Sequence, residues 1–319
     1  MKIKQVGILG GTGFVGRYLA SALVRRGQRV RVLSRHPQRH RDLVSREVAV
    51  LETDIHNPQQ LRERLQGVDA VFNLVGIHNE SGSSGFVRAH VEVPKSLVSA
   101  CSDLGIGRIL HMSALHAGDV GVKSNYMRTK GEGEALAHEA NSQGIAVSSF
   151  QPSVIFGHKD SFLNRFATLL RLSPVLPLAC PNAKMAPIYI EDVVNAMVSA
   201  LENPSSHGQR YPLCGPKVYT LLEIVEYIAQ VLSLSRIILP LSSGLSRLEG
   251  EIMEWIPGKP FSVDNYLSLQ VDSTCAPGVR LPFGIQATPL EVIAPYALGK
   301  QPLRNRYPTF REQAGRDPI

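Results

Sequence analysis

A chain of 319 residues with 44% hydrophobic side chains can bury a substantial core, as one large domain or two modest ones. No apolar run approaches the ~20 residues that cross a bilayer. With a first strand starting by Ile3, no signal or transit peptide is expected in this numbering, and the scattered Cys101, Cys180, Cys214 and Cys275 suggest neither a zinc site nor a disulfide framework, so a reducing compartment is expected.

The net charge of +7 is uneven, because residues 1–46 hold eleven Lys and Arg against one acid, Asp42, and so net +10, while the rest nets −3. Such a basic segment is a solvated face, or it meets an extra phosphate, an acidic partner, an anionic membrane surface or RNA.

The apolar run Val6-Gly7-Ile8-Leu9 makes residues 3–9 a buried strand that runs into Gly10-Gly11-Thr12-Gly13-Phe14-Val15-Gly16. Val15, Leu19, Ala22 and Leu23 then form a helical stripe ending at Gly27. A second strand spans 29–34. A third spans 48–51 and ends at Thr53-Asp54, after which Asn57-Pro58 caps and opens a helix through Leu65. Residues 69–75 form a fourth strand, and 76–85 a Ser/Gly/Asn loop. The following helix, 86–104, kinks or breaks at Pro94. A fifth strand at 108–112, a helix from about Tyr126 to about Ala140 and a sixth strand at 145–150 complete the alternation.

Strands alternating with helices in this way predict an α/β, Rossmann-like doubly wound parallel sheet over residues 1–150, with ligands at the carboxyl ends of the strands. A smaller mixed C-terminal lobe is expected over 151–299, and a polar tail over 300–319. In the lobe, 162–172 and 191–201 read as helices and 173–187 as a long Pro-rich loop over the site. Thr220/Glu223 and Thr288/Glu291 have capping-box spacing, and Leu245, Leu248, Ile252, Trp255 and Ile256 mark a further amphipathic helix.

Gly10, Gly13 and Gly16 have the spacing of a dinucleotide turn: one glycine permits the turn, one admits the diphosphate, and one packs the helix on the sheet. Where NAD sites place an acid for the ribose hydroxyls, the second strand ends in Ser34-Arg35. A hydroxyl and a planar guanidinium suit a 2′-phosphate, so NADP(H) is expected, with NAD(H) as the alternative. Tyr126 and Lys130 stand at i and i+4 on one helix face, so the cation is expected to lower the phenol's pKa from near ~10. Ser113, at the end of the fifth strand, can hydrogen-bond the same substrate oxygen. No histidine spacing suggests a metal. His111 and His116 read as structural, and Glu191-Asp192 as a helix start.

These motifs resemble those of extended or atypical short-chain dehydrogenases/reductases along almost the whole chain. The glycine turn, His-Met-Ser-Ala-Leu at 111–115, Tyr-Met-Arg-Thr-Lys at 126–130, Gln-Pro-Ser-Val-Ile-Phe-Gly at 151–157, the block at 160–167 and Pro-Ile-Tyr-Ile-Glu-Asp-Val at 187–193 most resemble the nucleotide-binding accessory subunit of respiratory complex I and its bacterial relatives. The resemblance implies that Thr12, Phe14 and Val15 lie along the diphosphate. It puts Asp54 and Ile55 beside the adenine, Leu74, Val75 and Gly76 at the adenine ribose, Lys130 at the nicotinamide ribose, and Pro152 and Ser153 near the nicotinamide.

The expected activity is an oxidoreductase using Tyr126, Lys130 and Ser113 on a small-molecule carbonyl- or quinone-like substrate. The alternatives are a non-catalytic NADPH-binding module that stabilises or assembles a respiratory or membrane-associated complex, and an NAD-dependent sugar-nucleotide epimerase or dehydratase. The expected location is cytoplasmic, with the basic half offering a peripheral contact at the inner face of a membrane. Nucleic acid is not an expected partner, since the basic field stands without a dedicated motif.

Overall fold

The computed structural model describes residues 3–80, 85–256 and 260–299; the tail expected at 300–319 and part of the loop expected at 76–85 lie outside them. Seven parallel strands form the central sheet, in the order β11-β6-β5-β4-β1-β2-β3. They are β1 (Gln5–Leu9), β2 (Arg29–Ser34), β3 (Val48–Glu52), β4 (Ala70–Asn73), β5 (Arg108–Met112), β6 (Ala146–Pro152) and β11 (Arg210–Leu213). The chain runs outward from β1 through β2 to β3, then returns to the other side of β1, so the strand order reverses at the end of β1. That is where the glycine turn stands.

Successive strand residues serve opposite faces. Ile8, Val32, Phe72 and Leu110 join α1 (Phe14–Arg25) and α7 (Ile190–Leu201) in one core. Leu9, Leu33, Val71 and Ile109 join α2 (Pro58–Leu65) and α4 (Val93–Leu104) in the other. Burial on both faces explains the apolar runs at 6–9 in β1 and 70–72 in β4. A third core, around Phe156, Leu163, Leu170, Ile224 and Leu290, belongs to the later part of the chain.

The expected sheet lacked one member. β11 is a four-residue edge strand containing Pro212, a residue tolerated at an edge because no ladder donor is needed there. The expected loop at 173–187 is corrected as well. It contains β8 (Val175–Leu178), parallel to β13 (Ile237–Pro240), and β9 (Lys184–Met185), antiparallel to β12 (Tyr219–Thr220). Short strands broken by proline pair with partners far along the chain, which leaves no local signal. The two remaining short strands, β7 (Ile155–Phe156) and β10 (Ile188–Tyr189), pair with each other.

Thr220 and Glu223 form the expected capping box of α8 (Leu221–Val231). Thr288 and Glu291 do not form one. Thr288 donates instead to Asp192, and Glu291 accepts from Tyr219 Oη. The helix marked by Leu245 and its neighbours is α9 (Ser243–Met253), with α6 (Phe162–Leu172) earlier in the chain and α10 (Val263–Ser268) and α11 (Leu290–Leu298) after it. The apolar stripe of α9 does not enter the core, however. Leu245, Leu248 and Ile252, with Trp255 and Ile256 beyond the helix end, are exposed.

The scattered cysteines, which suggest no disulfide framework in the sequence, include one bonded pair: Cys214, just past β11, is joined to Cys275, 61 residues later. Only the fold brings them together. Cys101 and Cys180 are free and buried. Among the described residues, no helix is long and apolar enough to cross a membrane.

Candidate dinucleotide and substrate site

The glycine turn is built by close backbone approach. Gly10 adopts φ +76°, and a Cβ there would stand 3.0 Å from the Leu74 carbonyl carbon and oxygen. A Cβ on Gly16 would meet Gly11 Cα at 2.4 Å, so α1 can leave the turn only through a glycine. Gly13, the N-cap of α1, is different: a Cβ there meets only Gly10 O, at 3.3 Å, and its exposed position faces open space. No side chain caps α1 and no acid lies in its first turn. An uncapped helix N-terminus beside a glycine turn fits an anionic diphosphate.

At the end of β2, Ser34 Oγ accepts from His36 N at 3.2 Å. Arg35 lines a cavity of about 710 Å³ together with Asp54, Glu52, Glu63, Arg64 and Arg88. Asp54 holds its own turn, accepting from His56 N at 3.0 Å. Ile55 packs against the core of α2 and α4. Leu74 and Val75 lie against Gly10, and Val75 N donates to Asn73 Oδ1 at 3.2 Å. Not all the basic N-terminal residues are available to a partner. Arg17 pairs with Asp42, and Arg31 donates to the carbonyls of Arg64 and Gln66.

The helix expected to kink or break at Pro94 is distorted without breaking, running through α3 (Gly85–Val87), a π turn at Arg88–Glu92, and α4. Pro94 lacks the N–H that would bond the carbonyl of His90, four residues earlier, and the backbone widens there. The turn brings Arg88 to the Arg35 cavity and His90 to the next helix, α5 (Asn125–Glu139). His90 Nε2 accepts from Ile77 N at 3.1 Å, and Nδ1 meets Thr129 Oγ1 at 2.9 Å. Gly133 makes the approach possible, since a Cβ there would lie 1.7 Å from His90 O.

On α5, Lys130 is buried and its ammonium donates to Met112 O, one residue before Ser113. A Cβ on Gly76 would lie 3.7 Å from Lys130 Nζ, so the end of β4, the end of β5 and α5 converge. Ser113 is buried and, among the described residues, its Oγ has no hydrogen-bond partner. Tyr126 is partly exposed, with the rings of His78 and His90 at 5.3 and 5.5 Å and Phe86 at 6.1 Å.

Its phenol does not behave as expected. Burial, with Asp264 second, pushes it up to about 12, since desolvation and a nearby carboxylate both disfavour the phenolate. Burial lowers Lys130 to about 8 and His90 to about 3. Tyr126 is therefore a proton donor across the neutral range.

Pro152 ends β6 beside Leu213. Ser153 is committed to the segment after α10, donating through Oγ to Ser273 O at 2.7 Å. Nearby, His116 contacts Asp119 Oδ2 and Thr274 O, both at 2.9 Å. His111 is buried against Asn73, so each of these histidines is held by packing and hydrogen bonds. Sequence reasoning missed His78, His90, Arg88 and Asp264. Of these, only His90 carried a signal, its place four residues before Pro94.

Comparison with known proteins agrees with this fold. Residues 6–214 match the model of the family described as "NAD dependent epimerase/dehydratase family". The chain is 29% identical over 298 residues to NADH dehydrogenase (ubiquinone) 1 alpha subcomplex subunit 9, mitochondrial, of Mus musculus, covering 89% of this chain and 77% of that one. It is 31% identical over 202 residues to a ceramide reductase of Caulobacter vibrioides, covering 62% and 61%. A UDP-glucuronic acid 4-epimerase from Bacillus cereus, solved with UDP-glucuronic acid and NAD, shares the fold at a TM-score of 0.65 and 20% identity, covering 85% of this chain and 95% of that one.

Proposed function

The chain belongs to the NAD dependent epimerase/dehydratase family, and we propose that within it the protein is an NADP(H)-dependent oxidoreductase that reduces a carbonyl- or quinone-like substrate. The observation carrying this reading is the grouping around Lys130: an unpartnered buried hydroxyl at Ser113 and, on the same helix, a Tyr126 phenol kept protonated.

The amides around Gly10, Thr12, Gly13, Phe14, Val15 and Gly16 hold the diphosphate. Asp54 and Ile55 flank the adenine, Leu74, Val75 and Gly76 its ribose, Lys130 the second ribose, and Pro152 and Ser153 the nicotinamide. The bound dinucleotide supplies a hydride from nicotinamide C4. Tyr126 gives its phenolic proton to the substrate oxygen as that oxygen gains negative charge, and Ser113 Oγ donates to the same oxygen. The test is NADPH oxidation by the purified protein against a panel of ketones, aldehydes and quinones. Oxidation by none of them overturns the reading.

The cofactor preference rests on Ser34-Arg35 standing where NAD sites place an acid, with Arg64 and Arg88, and also Glu52, Asp54 and Glu63, in the same cavity as Arg35. Arg35→Ala is expected to weaken NADPH binding about 10- to 100-fold, the worth of a charge-assisted hydrogen bond, with NADH affinity little changed. Fluorescence titration of both cofactors measures this, and an unaltered affinity ratio refutes the preference. The same position disfavours an NAD-dependent sugar-nucleotide epimerase.

A second reading, a non-catalytic NADPH-binding module of a respiratory or membrane-associated complex, is supported by the match to the mouse subunit over 89% of the chain. Co-migration with a respiratory complex, together with retained but unoxidised NADPH, favours it.

A further inference from the structure

The first turn of α5 is held from a helix 140 residues away in sequence. Ser124, its N-cap, accepts at Oγ from Met127 N at 3.3 Å. The amides of Asn125 and Tyr126 both donate to the carboxylate of Asp264 on α10, at 2.6 Å to Oδ1 and 3.1 Å to Oδ2. Ser124 Oγ also donates to Asp264 Oδ2, at 2.9 Å, and lies 2.8 Å from Ser268 Oγ. The next residue of α10 takes the other side of the tyrosine: Asn265 Nδ2 donates to His78 O at 3.2 Å, and the His78 ring stands against Tyr126. One helix therefore grips both the backbone of Tyr126 and the loop that walls its ring.

We propose that Asp264 is a positioning residue for proton transfer at Tyr126: from α10 it fixes the first turn of α5, and with Asn265 it fixes the His78 wall, so the docking of α10 sets the place and the charge environment of the phenol. The residues of α10 are half-buried, and Tyr266 packs against the third core, so the helix is held by that packing together with these polar contacts. The groups facing Tyr126 are His78 from the loop after β4, His90 from the π turn, Lys130 from its own helix and Asp264 from α10. His90 is neutral above about 3. His78, more open to solvent, is lowered too by desolvation and Lys130. Lys130 is turned onto Met112 O. After burial, Asp264 is the charge that raises the phenol, its negative sign disfavouring the phenolate.

The kinetic arm of the test rests on the oxidoreductase reading, and the structural arm does not. Asp264→Asn keeps an acceptor for the amides and removes the charge; Asp264→Glu keeps the charge on a longer arm. In NADPH oxidation, the alkaline limb of kcat is expected to move down in the Asn variant, by at most about one pH unit because burial is the larger cause of the rise, and to return towards wild type in the Glu variant, with KM for NADPH unchanged in both. A uniform fall in kcat with the limb unmoved reduces Asp264 to a helix cap and overturns the proposal.

The structural arm uses the protein without cofactor at neutral pH. The tyrosine 13Cζ resonance of Tyr126, assigned by its loss in Tyr126→Phe, is expected to shift in Asp264→Asn and to recover in Asp264→Glu, with faster amide exchange at residues 125 and 126 in the Asn variant. An unmoved resonance overturns the proposal even if no substrate is ever found. Should Asp264→Asn fail to fold, Asn265→Ala tests the other half of the grip, and an unmoved Tyr126 resonance there counts against it equally.

Discussion

Replacing Tyr126 by phenylalanine is expected to lower kcat for substrate reduction about 10²- to 10⁴-fold, the range for loss of a placed general acid, while the Kd for NADPH changes less than twofold. The split follows from the geometry. The Tyr126 side chain packs by its ring against His78, Phe86 and His90, and phenylalanine keeps that packing. The hydroxyl makes no hydrogen bond among the described residues, so its removal leaves no protein group stranded. What disappears is a proton donor that stays protonated up to about 12 in the free protein.

The sign matters for direction. A donor with a raised pKa serves reduction, in which the substrate oxygen needs a proton, through the whole neutral range. Oxidation of an alcohol needs the phenolate and so improves as pH rises. Rates in the two directions measured from pH 6 to about 8, before Lys130 loses its charge, therefore separate: reduction is expected to be flat where oxidation climbs. Equal turnover by wild type and Tyr126→Phe removes Tyr126 from the reaction.

The parts of this site that were legible in the sequence are those set by local backbone rules. Gly10 and Gly16 are glycines because a positive φ and a 2.4 Å approach leave no room for Cβ, and that requirement is written in consecutive residues. Arg35, Asp54 and Ser113 follow strand ends, so alternation of strand and helix placed them. What sequence spacing could not supply was electrostatics and long-range closure. The i, i+4 relation of Tyr126 and Lys130 is local and correct, yet the effect expected from it has the wrong sign, because burial, with the Asp264 carboxylate second, governs the phenol.

Asp264 reaches Tyr126 across 138 residues, and Cys214 reaches Cys275 across 61; neither leaves a periodic signal. The stripe from Leu245 to Ile256 predicts a helix correctly but not its environment. Amphipathic spacing reports that one face is apolar, and whether the fold covers that face is decided elsewhere.

Gly133→Ala is expected to destabilise the protein by about 3 kcal/mol, at the upper end of overpacking costs, despite the ~1 kcal/mol that alanine gains over glycine within a helix. The added Cβ would stand 1.7 Å from the His90 carbonyl oxygen and 2.9 Å from its carbon. Both atoms are backbone, so no rotamer change relieves the clash, and α5 must move away from the π turn. That movement pulls on His90, which is joined to Thr129 and to the amide of Ile77. The variant should therefore lose activity in excess of its loss of stability when assayed well below its melting transition.

Gly131→Ala, two residues earlier, is the comparison. Its Cβ would meet Gly118 Cα at 2.3 Å, but Gly118 lies in the loop between β5 and α5, outside the regular elements, and such a loop yields more easily than a helix. Thermal and denaturant unfolding of the two variants should rank Gly133→Ala clearly below Gly131→Ala. If both lose the same small amount, the π turn and α5 are not locked by this contact, and His90 is free to leave Tyr126 without cost to the fold.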